Sequence, residues 1–334
     1  MKLSSSGLRI LLVPVQVGVS FLILYLLFSN VNLGVTIHKL SQVNLPLLLL
    51  SVAFFIFSSL AIGFGLHGAL KAADAAPSMG ATQFANFGGQ LLSDITPAKS
   101  GYFATPVLLN QLKAVPLEKG LMSVLSVGAV NFFIKAAFSG IALFYFLNRI
   151  TVDAPMTNAM LLGITILIAS GVGLAVLVWT NRFRSLFLKI ARLPVVGNLI
   201  QKLCDMREMF SKDKASMRKS VKVIVASVIA SIFFSGISLV ILAHAMGLIQ
   251  PTFVDLLLMG PLTAVFMYVP VTFAGLGLQE TAYVFLLTNI GASIEVALPF
   301  AILIRVIAVT TDLIGLPSLI KTSTGVFSRL KRSR

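Results

Sequence analysis

Thr96-Pro97-Ala98-Lys99-Ser100-Gly101 and Pro270-Val271-Thr272-Phe273-Ala274-Gly275-Leu276-Gly277-Leu278-Gln279-Glu280 interrupt apolar sequence with proline, glycine and charge. Each lies inside a stretch long enough to reach membrane depth. Unwound backbone in hydrocarbon leaves amide groups without partners, so it persists only where it is packed in protein or lines a wet cavity. Two such breaks in corresponding halves of one chain are the sequence mark of a midplane site.

Composition supports that setting. Hydrophobic residues make up 57% of the 334, charged residues 11%, and the mean hydropathy is +0.98, too apolar for a water-soluble domain of this size. Uncharged runs such as 10–38, 45–65, 154–180 and 223–243 have the roughly 20 residues a helix needs to cross about 30 Å of hydrocarbon. The net charge of +15 lies mainly in connections and at the ends of apolar runs. There it acts as a topology signal and an attraction for anionic lipid rather than for nucleic acid. The single cysteine, Cys204, excludes a disulfide. Lys2 and Arg9 precede an apolar run, and Ser29-Asn30-Val31-Asn32 offers no small-residue cleavage site, so a retained signal anchor is expected.

The periodicity predicts an all-α, polytopic membrane helix bundle in a single domain over 1–334. Full spans are expected at 8–28, 45–70, 120–147, 157–179, 220–246 and 297–320, with broken apolar pairs at 82–112 and 256–289. The segment 182–222 carries eleven Lys or Arg and the tail from Lys321 carries five, which places both, and both termini, in the cytoplasm. Six crossings then leave 29–44, 148–156 and 247–256 outside as loops. The topology closes if each broken pair enters and leaves on one side, giving two re-entrant hairpins of opposite origin, an inverted repeat. Two proline-kinked ordinary helices with another crossing count are the alternative. Within 182–222, Leu199, Leu203, Met206 and Phe210 recur at helical spacing opposite Lys202, Arg207 and Lys212, as in an amphipathic helix lying on the cytoplasmic leaflet.

Ionisable groups at membrane depth are the candidate functional residues, because each one facing lipid costs about 2.5–3.5 kcal/mol even on lenient scales. Asp94, Lys99, Lys135, Glu280, Arg305 and Asp312 meet this criterion. Three acids match three bases, so the set is neutral as a whole; structural ion pairs stapling the helices are the competing reading. Thr96 and Pro97 mark the first break, where proline withholds a backbone donor, and Gly101 permits a turn or close approach. Gly275 and Gly277 open the segment ending at Glu280. Their spacing fits a phosphate cradle, a packing notch or a hinge. Arg305, flanked by Leu303-Ile304 and Val306-Ile307, needs a partner, and Glu280 or a lipid phosphate suits its bidentate geometry. Lys135 follows Asn131 by one helical turn, on the same face. The three histidines have no metal-ligand spacing, and no phosphate-binding glycine loop or catalytic triad stands out. Neither a metal nor a cofactor is expected.

The segment 86–112, with Asp94-Ile95-Thr96-Pro97-Ala98-Lys99-Ser100-Gly101-Tyr102 at its centre, resembles the Pro-x-x-x-Gly re-entrant segment of the lysylphosphatidylglycerol synthase transmembrane family. Ala274-Gly275-Leu276-Gly277-Leu278-Gln279-Glu280 is similar to its Gly-Gly-Leu-Gly-x-x-Glu signature, and Arg305 with Gly315 to its closing Arg and Gly. Ala274 stands where a first glycine is usual, and Lys99 where an arginine is common. The family includes the flippase half of the multiple peptide resistance factor. The resemblance therefore implies a protein of a prokaryotic cell membrane that binds or translocates a charged lipid: an anionic or lysylated phospholipid, or a polyprenyl-phosphate-linked sugar. Arg305 and Lys99 would engage the phosphate, and Glu280 and Asp94 would balance charge or meet a cationic headgroup. The soluble aminoacyl-transferase domain is absent from this chain, so synthase activity is not implied and no enzyme is expected. A membrane accessory subunit of a polar-lipid or lipid-linked glycan synthase is the alternative function, with a soluble transferase docking on 182–222; a second copy of the chain is the other protein partner to consider.

Overall fold

The computed structural model describes residues 5–29, 31–179, 214–269 and 271–322. Pro270, Cys204, the predicted amphipathic helix at 199–212 and most of the basic tail lie outside the described residues. Among those described, no strand occurs. The helices are α1 (Ser5–Ser29), α2 (Leu33–Ser41), α3 (Leu45–Ala72), α4 (Met79–Asp94), α5 (Thr105–Lys113), α6 (Leu117–Leu147), α7 (Ala154–Trp179), α8 (Lys214–Ala245), α9 (Phe253–Ala264), α10 (Leu278–Asn289) and α11 (Ile294–Asp312).

Local sequence sets these limits. The Asn44 side chain accepts from the Leu47 N–H at 3.1 Å to start α3, with proline in its first turn. Thr252 and Asp255 form a reciprocal capping box at the start of α9. Asn32 caps α2 through the Val35 N–H at 3.2 Å. That cap corrects one expectation: the segment 29–44, expected as a loop, contains a helix, turned 89° from Pro14–Ser29.

Among the described residues five helices, Leu45–Ala72, Leu117–Leu147, Ala154–Trp179, Lys219–Ala245 and Ile294–Thr322, are long and apolar enough to cross a membrane. A sixth crossing, expected as a straight span at 8–28, is reached only by counting the bent pair Pro14–Ser29 and Leu33–Ser41 together. Large apolar side chains such as Phe21, Phe57, Phe144 and Leu162 point outward. An apolar exterior of this extent suits lipid rather than water.

The bundle is centred on α3 and α8, which pack along much of their length. Small residues let the two backbones approach. Ser51 and Ser238 each donate to the other's backbone carbonyl at 2.8 Å, and the Ser58 and Ser231 hydroxyls meet at 2.8 Å. Hydroxyls that bond across close-packed helices are a membrane device, since neighbouring apolar side chains gain nothing over lipid.

Both broken segments double back on themselves. In the first, α4 and α5 lie side by side across the 3-10 segment Pro97–Ala104. A Cβ on Gly101 would sit 2.3 Å from the Leu92 carbonyl oxygen, and one on Gly88 2.9 Å from a Leu108 methyl. In the second, α9 and α10 are joined through the short 3-10 pieces Val265–Tyr268 and Phe273–Gly275. There a Cβ on Gly275 would sit 2.7 Å from the Met267 Cα.

The two turns share one backbone course. Thr96 (φ −134°, ψ 144°) and Thr272 (φ −117°, ψ 164°) are extended. Two residues on, Ala98 (52°, 29°) and Ala274 (51°, 30°) are left-handed, and Lys99 and Gly275 follow with φ of 58° and 73°. Thr-x-Ala-x-x-Gly is thus common to 96–101 and 272–277. The tips pack against each other.

Candidate functional site

Where the hairpin tips meet α6 and α11 there is a cavity of about 240 Å³. Its wall takes in Asp94, Lys99, Lys135, Arg305 and Asp312, five of the six ionisable groups expected at membrane depth. The sixth, Glu280, is buried behind Arg305 and paired with it. Three helices and a hairpin tip therefore bring together residues separated by more than 200 positions. Burial of so many charges demands partners, and each charge has a distinct arrangement.

On the first hairpin the Lys99 ammonium is paired with Asp94 Oδ1. Lys99 reaches Asp94 because two successive left-handed residues, Ala98 and Lys99, fold the chain back over the end of α4. For residues other than glycine this conformation costs on the order of 1 kcal/mol apiece and is kept only where the surroundings enforce it. Thr96 does much of the enforcing. Its hydroxyl donates to the Leu92 carbonyl at 3.0 Å and accepts from the Gly101 N–H at 2.7 Å. Pro97 starts the 3-10 turn, where its missing N–H is no loss. The Tyr102 hydroxyl donates to Asn86 Oδ1 at 2.9 Å, and Asn86 in turn donates to the Ser59 carbonyl at 3.1 Å, tying the tip to α3.

The second hairpin is organised by Arg305. Its Nε donates to Glu280, its Nη1 to the Ala274 carbonyl at 3.5 Å, and its Nη2 to the Gly275 carbonyl and Gln279 Oε1 at 3.4 and 3.3 Å. The guanidinium thereby satisfies carbonyls that the helix break has orphaned. The other Glu280 oxygen accepts from the Gly277 N–H at 2.7 Å. Gly277 has φ 87°, and a Cβ there would lie 2.9 Å from an Ile23 methyl of α1, so only glycine fits. The amide that sequence reasoning offered to an anion is thus taken by Glu280. Thr96, Pro97, Gly101, Gly275, Gly277 and Glu280 shape and brace the cavity; none of them forms its wall.

Lys135 differs from the other two cations. Its ammonium meets the Tyr268 hydroxyl at 3.3 Å and lies 5.7 Å from the centre of that ring, and among the described residues no carboxylate is paired with it. Phe132 holds the Tyr268 ring edge-on at 5.1 Å. Asn131, one turn away, also lines the cavity, and its Oδ1 has no hydrogen-bond partner. Asp312 completes the wall at the end of α11. Its position depends on Gly315: a Cβ there would fall 2.0 Å from the Gly88 nitrogen, so the 3-10 turn Leu313–Gly315 that follows α11 meets α4 at backbone contact.

Sequence reasoning passed over Tyr268 and Gln279 as site residues, and with them Gln90 and Tyr102. Uncharged polar side chains within apolar stretches were the available signal, and the search for ionisable groups did not capture them.

Fold and cavity together define a polytopic helical membrane protein with a charged interior site between two broken helical hairpins. The chain belongs to the lysylphosphatidylglycerol synthase TM region family, whose family model matches residues 13–315. Neither a curated protein nor a solved structure matches it.

Proposed function

We propose that the protein is a flippase-like lipid carrier, without catalytic activity of its own, that takes the phosphate of a lipid headgroup into this cavity and passes the lipid between leaflets. The observation that carries the reading is Lys135, a cation facing the cavity with a tyrosine hydroxyl in place of a counterion. A half-buried ammonium without a carboxylate is costly, and a docked phosphate offsets that cost. Lys99 and Arg305 flank the same space and can exchange an internal carboxylate for a ligand phosphate. The acids offset most of the cationic charge of the empty cavity. An anionic phospholipid or a polyprenyl-phosphate-linked lipid fits this charge pattern better than a lysylated one.

In this reading both hairpins are re-entrant and related as an inverted repeat, and the shared Thr-x-Ala-x-x-Gly turns are its counterparts. The polar tips replace headgroup hydration at the midplane. The protein sits in the cell membrane of a prokaryote, with both termini cytoplasmic, as the basic segments direct.

The test is exchange of tail-labelled fluorescent lipids in proteoliposomes, read by dithionite quenching, for anionic, zwitterionic and lysylated headgroups. Protein-dependent exchange is expected to be fastest for the anionic lipid and to fall to the rate of empty vesicles in Lys135→Met. Exchange that is indifferent to headgroup and to Lys135 would refute the reading.

A further inference from the structure

Asp94 and Asp312 present an arrangement that the headgroup role does not use. Asp94 Oδ1 accepts from Lys99, while its Oδ2 is buried and has no hydrogen-bond partner among the described residues. Asp312, 4% exposed, has its Oδ1 buried and without a partner as well. Both carboxyls lie on the wall of the one cavity, where α4 and α11 pack together. Ionised carboxylates only accept, so neither could satisfy the other, and two like charges on one cavity wall repel. What the geometry lacks is a donor hydrogen.

The surrounding charges do not supply one. Lys99, on the first hairpin tip, is committed to Asp94 Oδ1. Arg305, on α11, is committed to Glu280 and the second tip. Lys135, on α6, points to Tyr268, and the Tyr102 hydroxyl donates to Asn86. A hard metal cation would need about six oxygen ligands, whereas two free carboxylate oxygens suit a single bridging proton.

We propose that Asp94 and Asp312 form a proton-binding site that holds one proton between their facing oxygens at neutral pH. The proton comes from water on the side to which the cavity is open and returns to water when the pair separates or the cavity opens elsewhere. With it bound, three cations face two anions and the cavity carries a net charge of about +1, suited to one phosphate charge. Without it the cavity is neutral and binds an anion less well. On the carrier reading given above, on which this step rests, an anionic lipid and a proton cross together.

The experiment is infrared spectroscopy of the full-length protein in lipid nanodiscs across pH, in water and deuterium oxide. The expected result is a protonated-carboxyl C=O band at pH 7 that shifts in deuterium oxide and disappears in both Asp312→Asn and Asp94→Asn. Two variants are used so that misfolding of one leaves the other to decide. No such band, a band untouched by either substitution, or a band removed by sodium at constant pH would overturn the proposal. The band reports the proton whether or not lipid moves. Its absence in protein that exchanges lipid removes the proton site and leaves the carrier reading standing; its presence in protein that exchanges none removes the carrier reading alone.

Discussion

Glu280 is where the account can be tested most quantitatively, because its two oxygens do two separate things. One accepts from Arg305 Nε and the other from the Gly277 N–H at 2.7 Å. Hydrogen bonds to charged groups are worth about 1.5–3 kcal/mol each, so Glu280→Ala removes two such terms and leaves a guanidinium facing dipoles alone. The three other acceptors of Arg305 lie at 3.3–3.5 Å, too long to compensate. The expected loss is therefore about 3 kcal/mol, at the lower end of the range for breaking a buried pair and a shift of somewhat more than a hundredfold in the folding equilibrium. Glu280→Gln keeps an acceptor for Gly277 but not the charge, and is expected to lose about half as much. Arg305→Met combined with Glu280→Ala removes both partners, so the pair should cost less than the sum of the singles by about 2 kcal/mol. Equilibrium unfolding in mixed micelles, followed by the fluorescence of the single tryptophan Trp179, measures all four proteins. Single losses under about 1 kcal/mol, or additivity to within about 0.5 kcal/mol, would refute the assignment of Arg305 as the organiser of the second tip.

Other predictions concern packing and the outer latch. Gly315→Ala places a Cβ 2.0 Å from the Gly88 nitrogen and is expected to destabilise by at least ~2 kcal/mol, whereas Gly80→Ala in α4, with nothing within 4 Å, is expected to be neutral; thermal unfolding distinguishes them. Gly277→Ala meets both Ile23 and an unfavourable positive φ, so lipid exchange and stability should fall together, by about 1–3 kcal/mol for the latter. At the far end of α6, Asp255 is fully buried and accepts from Arg149 at 2.9 Å, from the Tyr145 hydroxyl at 3.0 Å and from Thr252 at 2.7 Å. Arg149→Ala leaves the other donors and removes a partly exposed cation, so a loss of only about 1 kcal/mol is expected, with exchange unaffected.

The parts of this site that could be read from sequence are those where a residue type conflicts with its surroundings. Pro97, Gly101, Gly275 and Gly277 are conspicuous in apolar sequence, and the breaks fall there. Asp94, Lys99, Lys135, Arg305 and Asp312 conflict with a bilayer, and one cavity collects them. What stayed hidden depends on conformation. Nothing in Ala98, Lys99 or Ala274 announces a left-handed residue, so the common course of the two turns emerges only from their dihedrals. The Gly277 amide looked available to an anion until Glu280 was seen to occupy it. Helix α2 reads as loop because nine residues are too few for a span, and its Asn32 cap is a local signal that a membrane-scale reading overlooks.

A site that serves both leaflets must open to both. The decisive measurement is labelling of Asn131→Cys, on the cavity wall, in a Cys204→Ser background, by a membrane-impermeant maleimide applied to either face of oriented vesicles. The account predicts modification from both faces, slowed by an anionic lipid and unchanged by a zwitterionic one. Modification from one face only, or from neither in folded protein, would contradict it and leave the charges as staples of a static bundle.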